Sequence, residues 1–287
     1  MPHSPSTAGF TRPPRAFLEN LAGAHDAAGE YRSHRLCFAH RGGSLMWPEN
    51  TLEAFSGALD LGCSHLESDV HRTRDGHLVL FHDARVERTT NGSGFIREFT
   101  LRELKQLDAG YRFYQDGRYP FRGKGLTIPT LEEALERFPG VRLNLELKQR
   151  EPDIVRPMWQ LIERRGLHDQ LLIAASFDAL VQDFREVSRG QVATSAGTRE
   201  SLRFLIAARL GLWRWDAPPY DALQLPVKVG MVPVVTRHLV DVAHRQGIQV
   251  HVWTIDAPGE MRALWRLGVD GIMSDRPDLL VDSARNC

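Results

Sequence analysis

The sequence has few cysteines, no long apolar runs and no apolar leader. Its three cysteines, Cys37, Cys63 and Cys287, are odd in number and lack Cys-x-x-Cys spacing. We therefore expect no disulfide framework and a reducing compartment. No apolar run approaches the roughly 18 residues that a membrane-spanning helix needs. The polar start, Met1 to Gly9, lacks the apolar core of a signal peptide. These absences predict a cytoplasmic protein without a transmembrane segment.

An excess of charge of one sign is also missing. The 36 lysines and arginines balance 36 aspartates and glutamates, so the formal net charge is zero. Without a general positive field, nucleic acid is not an expected partner. A net charge of zero still permits a local basic pocket, and such a pocket could bind a small anionic substrate.

Short apolar runs and stretches of helical period alternate along the 287 residues. This rhythm is typical of βα units around a parallel sheet. Nine segments are strand candidates: Leu36–His40, His65–His71, Leu78–His82, Val141–Leu147, Leu171–Ser176, Gln191–Ser195, Ala222–Leu225, Ile248–Thr254 and Gly271–Ser274. A closed barrel of this type needs eight. Asp75-Gly76 is a hairpin signal between the second and third candidates. The pattern leaves open which candidate is surplus.

The predicted fold is α/β, a TIM-type (β/α)8 barrel with a small insertion after the third strand candidate. Residues 1–35 form an N-terminal extension, in which the amphipathic piece Arg15–Leu21 is a candidate for docking on the body. Residues 36–287 form the barrel, and the insertion spans about 84–129. Because that insertion contains an aromatic cluster, we expect it to be ordered.

Helix starts are marked by capping signals. Asn50 with Glu53, and Thr130 with Glu133, have the spacing of a capping box. Both pairs precede residues of helical period, so each is predicted to begin a helix.

Charged side chains fall within or at the ends of apolar strands. Glu67 and Asp69 are two residues apart, so on a strand both point to one face. Glu146 and Lys148 repeat that geometry at the end of another strand. Each group alone has a structural explanation; Glu67, for example, could pair with a nearby arginine. The carboxyl ends of barrel strands, however, meet at one mouth of the barrel. Several charged side chains gathered there, where burial disfavours their charge, favour an active site.

Three inward carboxylates would repel one another, and a divalent cation would relieve that repulsion. Oxygen ligands suit Mg²⁺, Ca²⁺ or Mn²⁺. Arg41 and Lys148 add fixed positive charge that suits a phosphate. His40 and His82 end two further apolar runs, and two histidines at one mouth can serve as general base and general acid. These parts suit metal-assisted cleavage of a phosphodiester.

Ordered motifs run through about residues 36–280: Ala39–Gly43, Pro48–Thr51, Leu66–Val70, Thr73–Gly76, Phe81–Asp83, Ile128–Glu133, Asn144–Lys148, Ser176-Phe177, Val252–Thr254, Gly268–Ile272 and Asp275–Pro277. In these motifs the chain resembles the glycerophosphodiester phosphodiesterases, and most closely their cytoplasmic bacterial members. The resemblance implies the same barrel, with the long segment after His82 as the family's insertion. His71, in strand parity with the acidic pair, is a departure without a recognised role.

The resemblance implies one divalent metal ion, Mg²⁺ or Ca²⁺ with Mn²⁺ as a further option, bound by Glu67, Asp69 and Glu146. The resemblance also implies that His40 and His82 act as acid and base, and that Arg41 and Lys148 bind the phosphate. It implies that Trp253 contacts the alcohol.

The implied activity is hydrolysis of small-molecule glycerophosphodiesters to sn-glycerol 3-phosphate and an alcohol. A lysophospholipase D is an alternative, because Trp213 and Trp215 lie in an apolar stretch that could face lipid. More distant alternatives are a phosphatidylinositol-type phospholipase C and a non-catalytic phosphate-binding barrel. The sequence does not indicate the oligomeric state.

Overall fold

The fold is described by a computed structural model that covers Ala16–Leu18, residues 35–215 and residues 218–286. Most of the N-terminal extension, Cys287 and the side chains of Arg214 and Trp215 lie outside the described residues. No helix in the described part is long and apolar enough to cross a membrane.

Eight parallel strands build a barrel that confirms the predicted fold class. The strands of the described residues are β1 Leu36–Ala39, β2 His65–Arg72, β3 Leu78–Leu80, β4 Arg142–Leu147, β5 Leu171–Ala174, β6 Ala193–Thr194, β7 Ala222–Pro226, β8 Lys228–Val229, β9 Val232–Pro233, β10 Gln249–Trp253 and β11 Gly271–Ser274. The barrel order is β6-β5-β4-β2-β1-β11-β10-β7. A parallel bridge between Ser195 and Ala222 joins the two ends of this order. The sheet is therefore nearly closed.

The surplus strand candidate is β3. It pairs antiparallel with β2, with Val70 opposite Leu80 and Arg72 opposite Leu78. The turn between them contains Asp75-Gly76, and Gly76 has a φ of 97° that a residue with a side chain rarely adopts. The Asp-Gly signal thus identified a hairpin arm, and the insertion after β3 leaves from that hairpin. The short antiparallel pair β8 and β9 has no counterpart among the predicted strands.

Helices cover the outside of the barrel. In the described residues they are α1 Leu52–Asp60, α2 Leu101–Leu104, α3 Leu131–Arg137, α4 Val155–Arg165, α5 Asp178–Ser188, α6 Thr198–Leu210, α7 Arg237–Arg245, α8 Pro258–Leu267 and α9 Pro277–Arg285. The capping box of Thr130 and Glu133 is confirmed at the start of α3.

The predicted capping role of Asn50 is wrong. Thr51 caps α1 instead, because its side chain accepts a hydrogen bond from the amide of Ala54. Asn50 has a φ of 56°, in the left-handed region that asparagine tolerates better than most residues. Its side-chain amide donates to Asp69 and its side-chain oxygen accepts from Ser68. Asn50 therefore belongs to the barrel interior.

Phe17 and Leu18 pack at the bottom of the barrel. Of the predicted docking piece Arg15–Leu21, the residues Ala16–Leu18 are described, and they form a short 3-10 helix. Phe17 is buried and contacts the rings of Phe38 and His65. Burial lowers the pKa of His65 to about 3, so this imidazole is neutral in the folded barrel.

The insertion after β3 has a small apolar core of its own. Val79 of β3 and Phe81, the residue after β3, pack against residues of the insertion. The members of this core are Val79, Phe81, Val86, Ile96, Leu104, Ala109 and Ile128. This core supports the prediction that the insertion is ordered, but most of the side chains that stabilise it are aliphatic and not aromatic. Of the aromatic cluster, Tyr114 and Tyr119 are exposed, and Arg122 lies over the ring of Tyr119.

Candidate active site

The parity of the strands places one set of charged side chains inside the barrel mouth. On β2, His65 packs at the bottom of the barrel, while Glu67 and Asp69 follow on the same face, nearer the carboxyl end. In the parallel register between β2 and β4, Asp69 lies opposite Glu146. Glu67 and Asp69 are almost fully buried. The fold therefore brings together the three carboxylates predicted as metal ligands.

His40 follows β1 and is held by two acidic groups. Its Nδ1 lies 2.7 Å from Oδ1 of Asp275, and its Nε2 lies 3.8 Å from Oε2 of Glu67. Burial lowers the pKa of His40, but the hydrogen bond to Asp275 and the negative charge of Glu67 outweigh it, so the net pKa is raised. The protonated imidazole is thereby stabilised next to the carboxylates.

The sharp turn after His40 depends on glycine. Gly42 has a φ of 84°. A Cβ at this position would lie 2.6 Å from the Cβ of Ala54 on α1. The turn also directs the backbone amide of Arg41 to Oε2 of Glu67, at 3.1 Å. Close packing of this turn against α1 therefore fixes both His40 and one metal-ligand candidate.

The surroundings of Glu67 disfavour its ionised form. Burial, followed by the negative charge of Asp69, raises its pKa to about 7, although His40 and Arg41 oppose the shift. Burial also raises the pKa of Asp69, but Lys148, His82 and Arg41 outweigh it, so that pKa is lowered. Added positive charge at this point would favour the ionised form of Glu67.

Lys148 bridges two of the carboxylates. Its Nζ lies 3.0 Å from Oδ1 of Asp69 and 2.6 Å from Oε2 of Glu146. Burial lowers the pKa of the ammonium, but the charges of Asp69 and Glu146 raise it more. The other oxygen of Glu146 accepts a hydrogen bond from Ser176, at 2.6 Å. The predicted phosphate-binding lysine is thus placed among the predicted metal ligands.

A chain of alternating charges connects His82 to Arg41. Nδ1 of His82 lies 2.6 Å from Oδ1 of Asp83, whose Oδ2 accepts a 2.6 Å bond from Nε of Arg88. Arg88 makes two 2.7 Å bonds to Glu49. Glu49 in turn accepts a 3.3 Å bond from Arg41. The network couples the predicted second histidine to the predicted phosphate-binding arginine through the start of the insertion.

His71 supports the backbone of His82. Its Nε2 lies 3.2 Å from the carbonyl oxygen of His82, and its Nδ1 lies 3.0 Å from the side-chain oxygen of Gln149. Burial lowers the pKa of His71. The hydrogen bond that it makes to the neighbouring loop is a positioning contact.

The three carboxylates supply the kind of oxygen donor that divalent cations prefer, and burial and the like charge of Asp69 raise the pKa of Glu67. Among the described residues, however, no group of three or more His, Cys, Asp or Glu side chains is placed so that it could hold a metal ion. The ammonium of Lys148 contacts both Asp69 and Glu146. Arg41 Nε is buried without a hydrogen-bond partner, 3.4 Å from Asp69, and this unmet donor fits an anionic group such as phosphate.

Trp253 lies at the end of β10 and is 44% exposed. It borders a cavity of about 370 Å³. Glu146 and Ser176 line one side of the cavity, and Leu205 and Leu225 are among its apolar walls. Trp253 therefore borders the same cavity as Glu146. Trp213 packs against the core instead, and the other tryptophan of that apolar stretch has no described side chain.

Sequence reasoning missed several residues that orient the predicted groups. They are Glu49, Asn50, Asp83, Arg88, Gln149, Ser176 and Asp275. Asp275 and Ser176 follow β11 and β5, and their position just past a strand end was the available signal.

Residues 40–279 match the "Glycerophosphoryl diester phosphodiesterase family". The chain belongs to this family. The enzyme is accordingly a glycerophosphodiester phosphodiesterase, a phosphoric diester hydrolase. Family members hydrolyse glycerophosphodiesters to glycerol 3-phosphate.

Similar proteins span nearly the same length as this phosphodiesterase. "Probable glycerophosphodiester phosphodiesterase 2" of Mycobacterium tuberculosis is 36% identical over 86% of this chain and 90% of its own. A glycerophosphodiester phosphodiesterase of Caldanaerobacter subterraneus is 32% identical over 87% of this chain and 98% of its own. A solved Oleispira antarctica phosphodiesterase, in complex with the product sn-glycerol-3-phosphate, is 28% identical with a TM-score of 0.72, covering 88% of this chain and 98% of its own.

Proposed function

We propose that the enzyme hydrolyses glycerophosphodiesters to sn-glycerol 3-phosphate and an alcohol in a metal-dependent reaction, with His40 and His82 as the acid and base. The observation that supports this most is the proximity of three carboxylates, one arginine and one lysine beside His40 at the barrel mouth. Glu67, Asp69 and Glu146 would hold one divalent ion, Mg²⁺ or Ca²⁺, with Mn²⁺ as a further option.

The two histidines share one arrangement. In each, Nδ1 contacts an aspartate, Asp275 for His40 and Asp83 for His82. Nε2 is therefore the nitrogen available for a reacting proton. One imidazole takes the proton of the attacking water or hydroxyl group, and the other gives a proton to the leaving alcohol oxygen. The aspartates fix the ring orientation while this happens.

Positive charge at the mouth binds the phosphate. Arg41 offers its unmet Nε donor, and Lys148 offers an ammonium already placed between two carboxylates. A bound divalent ion would supply Lewis acidity and neutralise charge on the phosphate oxygens. Trp253 presents an apolar surface beside this point, which suits contact with the carbon atoms of the glycerol or the alcohol.

The test is turnover of glycerophosphocholine by the purified full-length protein, followed by release of glycerol 3-phosphate. We expect a chelator to abolish turnover and added Mg²⁺, Ca²⁺ or Mn²⁺ to restore it. His40→Ala and His82→Ala each should lower kcat by about a hundredfold or more, the usual contribution of a general acid or base. Glu67→Ala should lose activity in the same way. Turnover that survives both the chelator and these substitutions would contradict the proposal.

A second candidate function is that of a lysophospholipase D, and the apolar cavity beside Glu146 favours it. Leu202, Leu205, Val229 and Val234 contribute to walls that can accommodate carbon chain rather than a small polar alcohol. A kcat/KM for a lysophospholipid far above that for glycerophosphocholine would establish this activity. The reverse ratio would leave the soluble diester as the substrate.

We also propose a reducing compartment, such as the cytoplasm, for this enzyme. Cys37 and Cys63 are free and buried, and burial raises the pKa of both thiols. Unpaired structural thiols are typical of proteins kept in reducing surroundings.

A further inference from the structure

Exposed apolar side chains are concentrated on α6 and on the β8–β9 hairpin, both of which border the cavity beside Glu146. Helix α6 presents Leu202, Ile206 and Leu210, each at least half exposed and four residues apart. This spacing places them along one stripe of the helix. Of the large apolar side chains that are exposed among the described residues, more lie between positions 202 and 232 than in the rest of that part of the chain. The clustering separates them from the scattered apolar residues of an ordinary surface.

The β8–β9 hairpin continues this stripe. Val229 and Val232 are more than half exposed, and Met231 at the tip is 98% exposed. The hairpin and α6 contribute walls to the same cavity beside Glu146, and Arg209 of α6 donates a hydrogen bond to the carbonyl of Pro233, at 3.4 Å. We call the exposed residues of α6 and of this hairpin the apolar rim.

The charged side chains of α6 and of the β8–β9 hairpin are mainly basic, although the whole chain has a formal net charge of zero. Residues 198–213 and 227–236 contain one acidic side chain, Glu200, and four basic ones: Arg199, Arg203, Arg209 and Lys228. Glu200 is bonded to Arg185 at 2.7 Å, which neutralises it. An apolar stripe flanked by basic side chains is the pattern of helices that lie in the interface of an anionic membrane.

We propose that the apolar rim docks on an anionic lipid surface and places the mouth of the barrel against it. A tip residue as exposed as Met231 protrudes, and a protruding apolar side chain suits insertion into a soft medium better than it suits a flat protein face. The basic side chains flanking the stripe then lie at the level of the lipid phosphates. The proposal does not rest on the proposed catalytic roles, because docking requires none of those side chains.

Co-sedimentation of the full-length protein with vesicles tests the docking. We expect binding to phosphatidylcholine vesicles that contain phosphatidylglycerol, weaker binding to phosphatidylcholine alone, and a loss of binding as salt is added. Ile206→Ser combined with Met231→Ser should lower the affinity for the anionic vesicles by about tenfold or more, because two apolar side chains no longer leave water. Ile206→Leu with Met231→Leu is the matched control and should bind as the parent does.

The charge contribution is tested at Lys228. Lys228→Gln should weaken binding to the anionic vesicles by a few fold, since about one favourable charge contact is lost, and Lys228→Arg should not. Turnover of soluble glycerophosphocholine should stay unchanged in the rim variants, which separates this test from that of the catalytic site. Equal vesicle binding by the serine and leucine variants would overturn the proposal. The proposal would also be overturned if the parent protein formed a dimer and bound no vesicles, while the serine variant was a monomer. The apolar rim would then bind a second copy of the chain.

Discussion

At the scale of single residues, orientation of the imidazoles depends on two aspartates outside the predicted set. Asp275 contacts Nδ1 of His40 and Asp83 contacts Nδ1 of His82. Asp275 is further held by the backbone, since its amide donates to Asp256 at 2.8 Å. A ring fixed in this way presents the same nitrogen and tautomer at every turnover.

Asp275→Asn should lower kcat by about tenfold to a hundredfold with little change in KM. An asparagine keeps the shape of the side chain but removes the charge that stabilises the protonated imidazole of His40. Steady-state kinetics on glycerophosphocholine measure both constants. Asp278→Asn is the control, because Asp278 lies three residues away and pairs with Arg276. A rise in KM without a fall in kcat would show that Asp275 serves substrate binding instead.

Asn50 illustrates the limit of residue patterns. Its spacing from Glu53 matches a capping box, and Thr51, one position later, does the capping. Spacing cannot distinguish these neighbours, because the choice depends on the backbone. A φ of 56° at Asn50 directs its side chain to Asp69 and Ser68. The contact that holds a metal-ligand candidate is therefore a tertiary one, invisible to local sequence.

At the scale of elements, strand parity explains how three distant carboxylates come together. Period 2 on β2 and β4 predicts that Glu67 and Asp69 share a face, and the register of the two strands places Asp69 opposite Glu146. The partners of these residues come from segments far along the chain, such as Ser176 after β5. No local rule relates those positions, since only barrel closure sets which strand ends are neighbours.

The short N-terminal element carries a stability prediction. Phe17 is buried against Phe38 and His65 at the bottom of the barrel. Phe17→Ala should lower the free energy of unfolding by about 3 kcal/mol, the usual cost of removing a buried aromatic ring. Chemical denaturation measures this change, with the partly buried Leu18→Ala as the smaller companion. An unchanged midpoint for Phe17→Ala would mean that this segment does not contribute to the folded barrel.

At the scale of the whole molecule, a formal charge of zero conceals a strong local arrangement. Buried carboxylates at the mouth are balanced by Arg41, Lys148 and His40. The α6 and β8–β9 segments are basic, whereas the composition alone only excluded a generally basic protein. Composition averages over the surface, so the fold is needed to show where each charge lies.

We propose that Glu67, Asp69 and Glu146 together hold one divalent ion. A Mn²⁺ titration of the full-length protein, with free Mn²⁺ followed by electron paramagnetic resonance, tests this proposal. The proposal predicts one ion per chain, and affinity at least about tenfold lower in Glu67→Gln, Asp69→Asn and Glu146→Gln, because each loses one anionic ligand. Glu53→Gln, an exposed change on α1, should bind as the parent does. Equal affinity in all four variants, or no binding by the parent, would contradict the claim.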